Sequence, residues 1–234
     1  MSKITVERDG ALARVTLNRP DKLNALSTAV EAELLAALSS PEVTTARVLV
    51  VRGEGRAFCA GADTEELDAA TPASALAYYT LTGDVYERLA SLHVPSIAQI
   101  HGWCVGGGLE LALACDLRVA SADARFWFPE VERGILPSSG GTARIVQACG
   151  PAVARRLILL GEKFDAPEAL RLGVIQAIGD GDVAEQWAAT LAERSAAAIQ
   201  VTRAAISAAT DGSHAAATAV ERIGYAALAG IPAK

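Results

Sequence analysis

Residues 101–121 read HGWCVGGGLELALACDLRVAS. The run Ser96 to Ile100, opened by Pro95, enters this stretch as a strand. Gly106-Gly107-Gly108 then breaks the extended chain. From about Leu109 to Ala114 the residues are apolar on nearly every side, the pattern of a short helix buried all round. Leu117 to Ala120 returns to strand. Strand, glycine turn, helix and strand in that order make a right-handed βαβ unit.

The flanking sequence extends the pattern. Ile4, Val6, Leu12, Val15 and Leu17 alternate around Asp9-Gly10, which reads as a hairpin with a D-G turn. Ser27 caps a helix whose apolar positions Val30, Leu34, Leu35 and Leu38 recur at helical spacing, and Pro41 ends it. Val48-Leu49-Val50-Val51 is a continuous apolar run, as in a strand covered on both faces. A glycine-rich loop follows from Gly53 to Gly61. One helix is expected over 73–92, with Leu81, Val85 and Leu89 on one face. Prolines and glycines punctuate a loop region from Pro129 to Gly141. Helices are then expected over about 141–148, 151–160, 166–172, 183–198 and 215–228. No period of 20–50 residues is present. The expected division is a core over 1–180 and a C-terminal helical region over 181–234 that serves oligomerisation or acts as a lid.

Composition narrows the function. The 234 residues are 51% hydrophobic and 21% charged, with net charge −6. Such a chain buries a large core and needs no staples. Four lysines cannot build the basic face of a nucleic-acid binder, so no nucleic-acid partner is expected. Cys59, Cys104, Cys115 and Cys149 show no C-x-x-C spacing. They read as reduced thiols of a cytoplasmic protein, with no metal site. The apolar region Ile97 to Leu117 is broken by His101, Glu110 and Asp116, so no membrane span is expected. MSKITVERDG lacks the pattern of a signal peptide.

Three features carry chemistry. Arg56 to Asp63 and His101 to Glu110 are glycine loops that each follow a strand. On spacing alone they read first as ordinary turns. Paired, they offer one backbone N–H each to a carbonyl oxygen that gains charge. Neither loop has the spacing of a nucleotide phosphate cradle. The third feature is the carboxylate pair Glu110 and Glu130. Glu110 suits the positive end of its helix, a role that needs no chemistry. Glu130 follows Phe126-Trp127-Phe128-Pro129, an aromatic setting that raises a carboxyl pKa by desolvation. Two such carboxylates can divide acid and base work. Other polar residues read as structural: Asp63 as a helix cap, Asp116 paired with Arg118, and Arg125, Arg144, Arg155 and Arg156 as surface or interface charges. Trp127, Phe128, Tyr78 and Tyr79 read as core or pocket walls.

FCAGAD at 58–63, HGWCVGGGLELALACDLRVAS at 101–121 and FPEVERGILPSSGGTARI at 128–145 together resemble the crotonase superfamily of enoyl-CoA hydratases and isomerases. LNRPDKLNAL at 17–26 and LLGEKFDAPEALRLGVI at 159–175 extend the resemblance over about residues 4–228. It implies an α/β fold, a spiral of ββα units with a C-terminal helical trimerisation region, assembled as a homotrimer or a dimer of trimers. It implies an acyl-CoA substrate and no separate cofactor, coenzyme A entering as the thioester. By motif position, Ala62 and Gly107 match the oxyanion-hole residues. Glu110 and Glu130 match the two glutamates of the hydratase branch. Lys22, Leu23, Ala60, Ala62, Asp63, Thr64 and Gly107 match the strip along the CoA arm and thioester. Having both glutamates favours hydration of a trans-2-enoyl-CoA over double-bond isomerisation. Thioester hydrolysis, C–C cleavage, dehydration on a biosynthetic acyl carrier, and a non-catalytic binding role are the alternatives.

Two departures from the family pattern stand out. Ser138 replaces a glycine that lies near the catalytic water, and His101 stands where Asn is common. The family's usual acidic-then-basic tail is also largely missing after Ala229, which bears on CoA contacts.

Overall fold

The computed structural model describes residues 2–81 and 84–230, without the side chains of Thr80 and Leu81. The chain opens with β1 (Ile4–Asp9) and β2 (Leu12–Leu17), the expected hairpin, closed at Gly10 with φ of 52°. Helix α1 (Thr28–Leu38) follows, capped by Ser27, whose hydroxyl accepts from the Val30 N–H at 3.3 Å. Pro41 does not merely stop this helix. It begins a short second one, α2 (Pro41–Thr44), in the first-turn position where proline is tolerated.

Three turns of a spiral come next. The first runs β3 (Val48–Gly53), β4 (Ala57–Cys59) and helices α3 (Thr64–Asp68), α4 (Pro72–Leu81) and α5 (Val85–Ala90). The second is β5 (Ser96–Ile100), β6 (Trp103–Val105) and α6 (Gly107–Ala114). The third is β7 (Leu117–Ala120), β8 (Arg125–Trp127) and α7 (Gly141–Leu159). Each turn gives its first strand to one sheet and its second to another. With β9 (Phe164–Asp165), α8 (Ala166–Leu172) and β10 (Ala177–Ile178), the sheets read β1-β2-β3-β5-β7-β10 and β4-β6-β8-β9. Within the first, all pairings after the hairpin are parallel.

The continuous apolar run of β3 follows from burial on both faces. Leu49 and Val51 join the main core, which includes Leu34, Leu109 and Phe126. Val48 and Val50 face the other way, against Ala184 and Ala188 of α9 (Gly181–Glu193). Two helices complete the described chain, α10 (Ala196–Asp211) and α11 (His214–Leu228).

The differences from expectation have local causes. The ββα units that the resemblance implied are present, but the residues alone do not mark the second sheet, because β4 and β6 are three residues each and lie inside segments that read as glycine loops. The helix expected over 73–92 is two helices. The residues 82 and 83 and the Leu81 side chain lie outside the described residues, while Val85 and Leu89 are buried as expected. Thr82-Gly83-Asp84 carries a breaker signal in the sequence. The helix expected over 183–198 ends at Glu193, because Ser195 caps α10 by accepting from the Ala198 N–H at 3.4 Å. The pair expected over 141–148 and 151–160 is present: α7 is two helical stretches that meet at a non-helical Gly150, with φ of 78°. Asp116 does not pair with Arg118. It binds Arg203 at 2.7 Å, while buried Arg118 donates to the carbonyls of Val174 and Cys115.

Candidate active site

The loop after β4 meets the loop after β6. Leu26 forms a parallel bridge beside Ala62: its N–H donates to the Gly61 carbonyl at 2.8 Å, and its carbonyl accepts from the Asp63 N–H at 2.8 Å. Bonding to the residues on either side leaves the Ala62 N–H pointing away from Leu26. Gly107 opens α6, where the first amides of a helix lack internal partners. A methyl placed on Gly107 would fall 3.7 Å from the Ala62 nitrogen. Among the described residues, neither amide has a protein acceptor. Two free N–H groups thus converge at a helix N-terminus, as an oxyanion needs.

Asp63 fixes this loop from behind. It caps α3 by accepting from the Glu65 N–H at 3.1 Å and pairs with Arg19 at 2.6 Å. The guanidinium holds its carboxyl below the usual carboxylate range.

The loop faces a cavity of about 800 Å³. Glu110 enters it from the first turn of α6 and is 4% exposed. Its Oε1 accepts from the Ser139 and Gly141 amides at 2.8 and 2.9 Å. Burial raises its pKa, while these two donors and Arg144 pull it down. Glu130, just before a 3₁₀ turn at Val131–Arg133, is 7% exposed. Its Oε2 has no partner among the described residues. Burial, then the charge of Glu110, pushes its pKa up to about 7. Gly106, at φ of 51°, presses against it: a methyl there would lie 2.9 Å from Glu130 Oε1.

Besides Glu110 and Glu130, the cavity lining takes in Ala60, Ala62, Asp63, Thr64, Gly107 and Ser138 of the expected residues. Lys22 and Leu23 are not part of it. Lys22 pairs with Glu65 at 2.8 Å, and the Leu23 carbonyl accepts the Ala60 N–H at 2.9 Å. Ser138 Oγ accepts from the Tyr79 hydroxyl, so its hydroxyl meets a protein partner on α4. Tyr78, Tyr79 and Trp127 line the cavity, and Phe128 lies in the core. His101 binds the Gly55 carbonyl at 2.9 Å, a structural role. Arg144 pairs with Glu87, and Arg156 with Glu162 and Glu168.

The enoyl-CoA hydratase/isomerase family matches residues 7–226. The chain belongs to this family. It is similar to a probable enoyl-CoA hydratase of Mycobacterium tuberculosis, 36% identical over 90% of this chain and 83% of that one. Among solved structures, an enoyl-CoA hydratase from Thermoplasma volcanium superposes with a TM-score of 0.94 at 31% identity, covering 99% and 94% of the two chains. A putative enoyl-CoA hydratase from Thermobifida fusca, solved in complex with CoA, has a TM-score of 0.89 at 28% identity, covering 97% and 92%.

Among the cavity residues that sequence reasoning did not single out is another buried carboxylate. Glu31 on α1 is 2% exposed and lines the cavity. The signal was available: a carboxylate beside Val30, in the same apolar phase as Leu34 and Leu38.

Proposed function

We propose that this chain adds water to the double bond of a trans-2-enoyl-CoA, and reverses that reaction. The observation that carries the reading is one cavity that holds the buried carboxylates of Glu110 and Glu130 beside two partnerless amides. Addition of water at Cβ places negative charge on the thioester oxygen. The Ala62 and Gly107 N–H groups would receive it, and losing one such donor costs about 3–4 kcal/mol.

The two carboxylates have different environments. Burial raises the Glu110 pKa, while its two backbone donors favour the charged form and aim the carboxylate, which suits a base that orients and deprotonates water. Glu130 has an orphaned oxygen and a pKa of about 7, which suits an acid that delivers a proton to Cα. Coenzyme A is part of the substrate in this reading, and the Ala60 to Thr64 strip lies along its arm.

The assay follows the conjugated thioester absorbance of trans-2-crotonyl-CoA. Loss of the band with formation of 3-hydroxybutyryl-CoA is expected for the wild type alone. Glu110→Gln and Glu130→Gln should each be slower by about 10²–10⁴. Wild-type turnover in either variant would remove that residue from the mechanism. Free CoA or a shifted double bond as the product would replace hydration with hydrolysis or isomerisation.

A trimer, or a dimer of trimers, is part of the same proposal. Ile206 on α10 and Ile223 and Tyr225 on α11 are 61%, 71% and 79% exposed, apolar side chains on the helices that a second copy would cover. No described helix is long and apolar enough to cross a membrane. The free cysteines support a reducing, cytoplasmic setting.

A further inference from the structure

The loop that holds Glu110 is tied across the cavity to α4. The Tyr79 hydroxyl donates to Ser138 Oγ, and both residues line the cavity. Ser139, the next residue, gives its amide to Glu110 Oε1 at 2.8 Å. Tyr78 braces the Tyr79 ring edge-on, with centroids 4.9 Å apart, and is itself bonded to Glu31 at 2.8 Å. Pro72 to Ala77 of the same helix are exposed, so this part of α4 adds wall to the cavity without joining the core.

The place of this contact along a bound substrate rests on the hydratase reading. The thioester oxygen sits at the Ala62 and Gly107 amides, and Cβ sits at Glu110. The CoA arm occupies the Ala60 to Thr64 side. The acyl chain beyond Cβ therefore runs past the peptide that holds Glu110 and meets Ser138 and Tyr79.

A chain long enough to pass must separate the two hydroxyls. An alkyl group returns no hydrogen bond to either oxygen. Apolar surface is at hand for it: Ile135 and Leu136, three and two residues before Ser138, line the cavity and are exposed. What stops the alkyl chain is the closed hydroxyl contact. We propose that Tyr79 and Ser138 close the acyl end of the cavity and restrict this protein to short acyl groups. Both are specificity residues and touch no reacting atom.

The test is a series of trans-2-butenoyl-, hexenoyl-, octenoyl- and decenoyl-CoA. Wild-type kcat/KM should fall by at least about tenfold from the hexenoyl to the decenoyl ester, the scale on which a pocket rejects extra methylenes. Tyr79→Phe and Ser138→Ala each delete one hydroxyl, and each should raise the decenoyl-to-butenoyl ratio by at least about threefold. Their double variant should raise it no further than the better single, because either change opens the same contact. Tyr79→Ala, which removes the wall itself, should raise it by about tenfold or more. Thermal melts identify a variant that fails to fold, and the two hydroxyl deletions then carry the comparison.

A wild type that turns over butenoyl and decenoyl esters equally would overturn the limit. A limit that Tyr79→Ala lifts while Tyr79→Phe and Ser138→Ala leave it in place would overturn the hydroxyl contact, as would fully additive effects in the double variant. A limit unchanged in all the variants would overturn the role of both residues. Calorimetric binding of butyryl-, hexanoyl- and decanoyl-CoA, which cannot be hydrated, separates this proposal from the reaction. Weaker binding of the decanoyl ester that the hydroxyl deletions restore, with no turnover of any enoyl-CoA, would overturn the hydratase reading and keep the length limit.

Discussion

Arg144 donates to the Ser139 carbonyl at 2.9 Å, and the amide of the same Ser139 lies 2.8 Å from Glu110 Oε1. The guanidinium thus fixes the peptide that fixes the carboxylate, and Glu87 fixes the guanidinium in turn. Arg144 also lowers the Glu110 pKa by its charge. Arg144→Met should raise that pKa. A base must be ionised, so the acid limb of the kcat/KM profile should move to higher pH, with kcat down by about tenfold from looser positioning. An unmoved acid limb would separate Arg144 from Glu110.

In the proposed hydration, Glu130 sets the other limb. With a pKa of about 7, it is half ionised near neutrality, and an acid that has lost its proton cannot deliver it. The pH profile of kcat/KM should fall above about 7. Glu130→Gln should abolish that ionisation along with most of the rate. A wild-type profile flat to pH 9 would exclude Glu130 as the acid.

The same shift predicts a stability effect. The folded chain holds the Glu130 proton up to about 7, while the ordinary value is 4.5. Stability from this group is present below the ordinary value and is lost as pH rises through the folded one. Glu130→Gln cannot ionise, so its Tm should drop less than wild type between about pH 5 and about pH 8. Equal drops in the two proteins would mean that other groups carry the dependence.

The parts of this arrangement that were legible in the sequence share a cause. Val48–Val51 announces itself because a strand covered on both faces leaves no polar position, and Ser96–Ile100 and Leu117–Ala120 are legible as short, mostly apolar runs on either side of the glycine turn and helix. Glu110 and the glycine loops were legible because each occurs in a long, ordered motif. The second sheet was not, since three-residue strands flanked by glycine carry no period. Glu31 was passed over because a single carboxylate barely alters an otherwise apolar phase. Its partners come from α4 and α5, which one-dimensional spacing does not bring to α1. The split between α4 and α5 was hidden by reading apolar positions through a Thr-Gly-Asp breaker.

Close packing at Gly141 gives a sharp steric test. A methyl there would sit 2.4 Å from Glu110 Cγ, while its amide is one of the two donors to that carboxylate. Gly141→Ala should displace Glu110, cost about 1–3 kcal/mol in stability and lower kcat more than it raises KM. Urea unfolding and steady-state kinetics read the two effects separately. A variant with wild-type kcat would show that Glu110 tolerates displacement.

Asn24 tests whether the oxyanion loop depends on the segment that precedes α1. It is 1% exposed, with φ of 58°. Its Nδ2 donates to the carbonyls of Glu54 and Ala57 at 2.9 and 2.8 Å, and its Oδ1 accepts from the Arg19 N–H at 2.9 Å. One side chain therefore ties the Arg19 turn to the start of β4, three residues before the loop that presents Ala62. Asn24→Ala removes these bonds and keeps a Cβ in left-handed backbone, so it should destabilise by about 2–4 kcal/mol. Asn24→Gly removes the same bonds but relieves the backbone, and should be less destabilising by about 1 kcal/mol. If the bonds position the loop, both variants lose kcat equally despite their different stabilities. If kcat instead tracks stability between the two, Asn24 serves the fold alone.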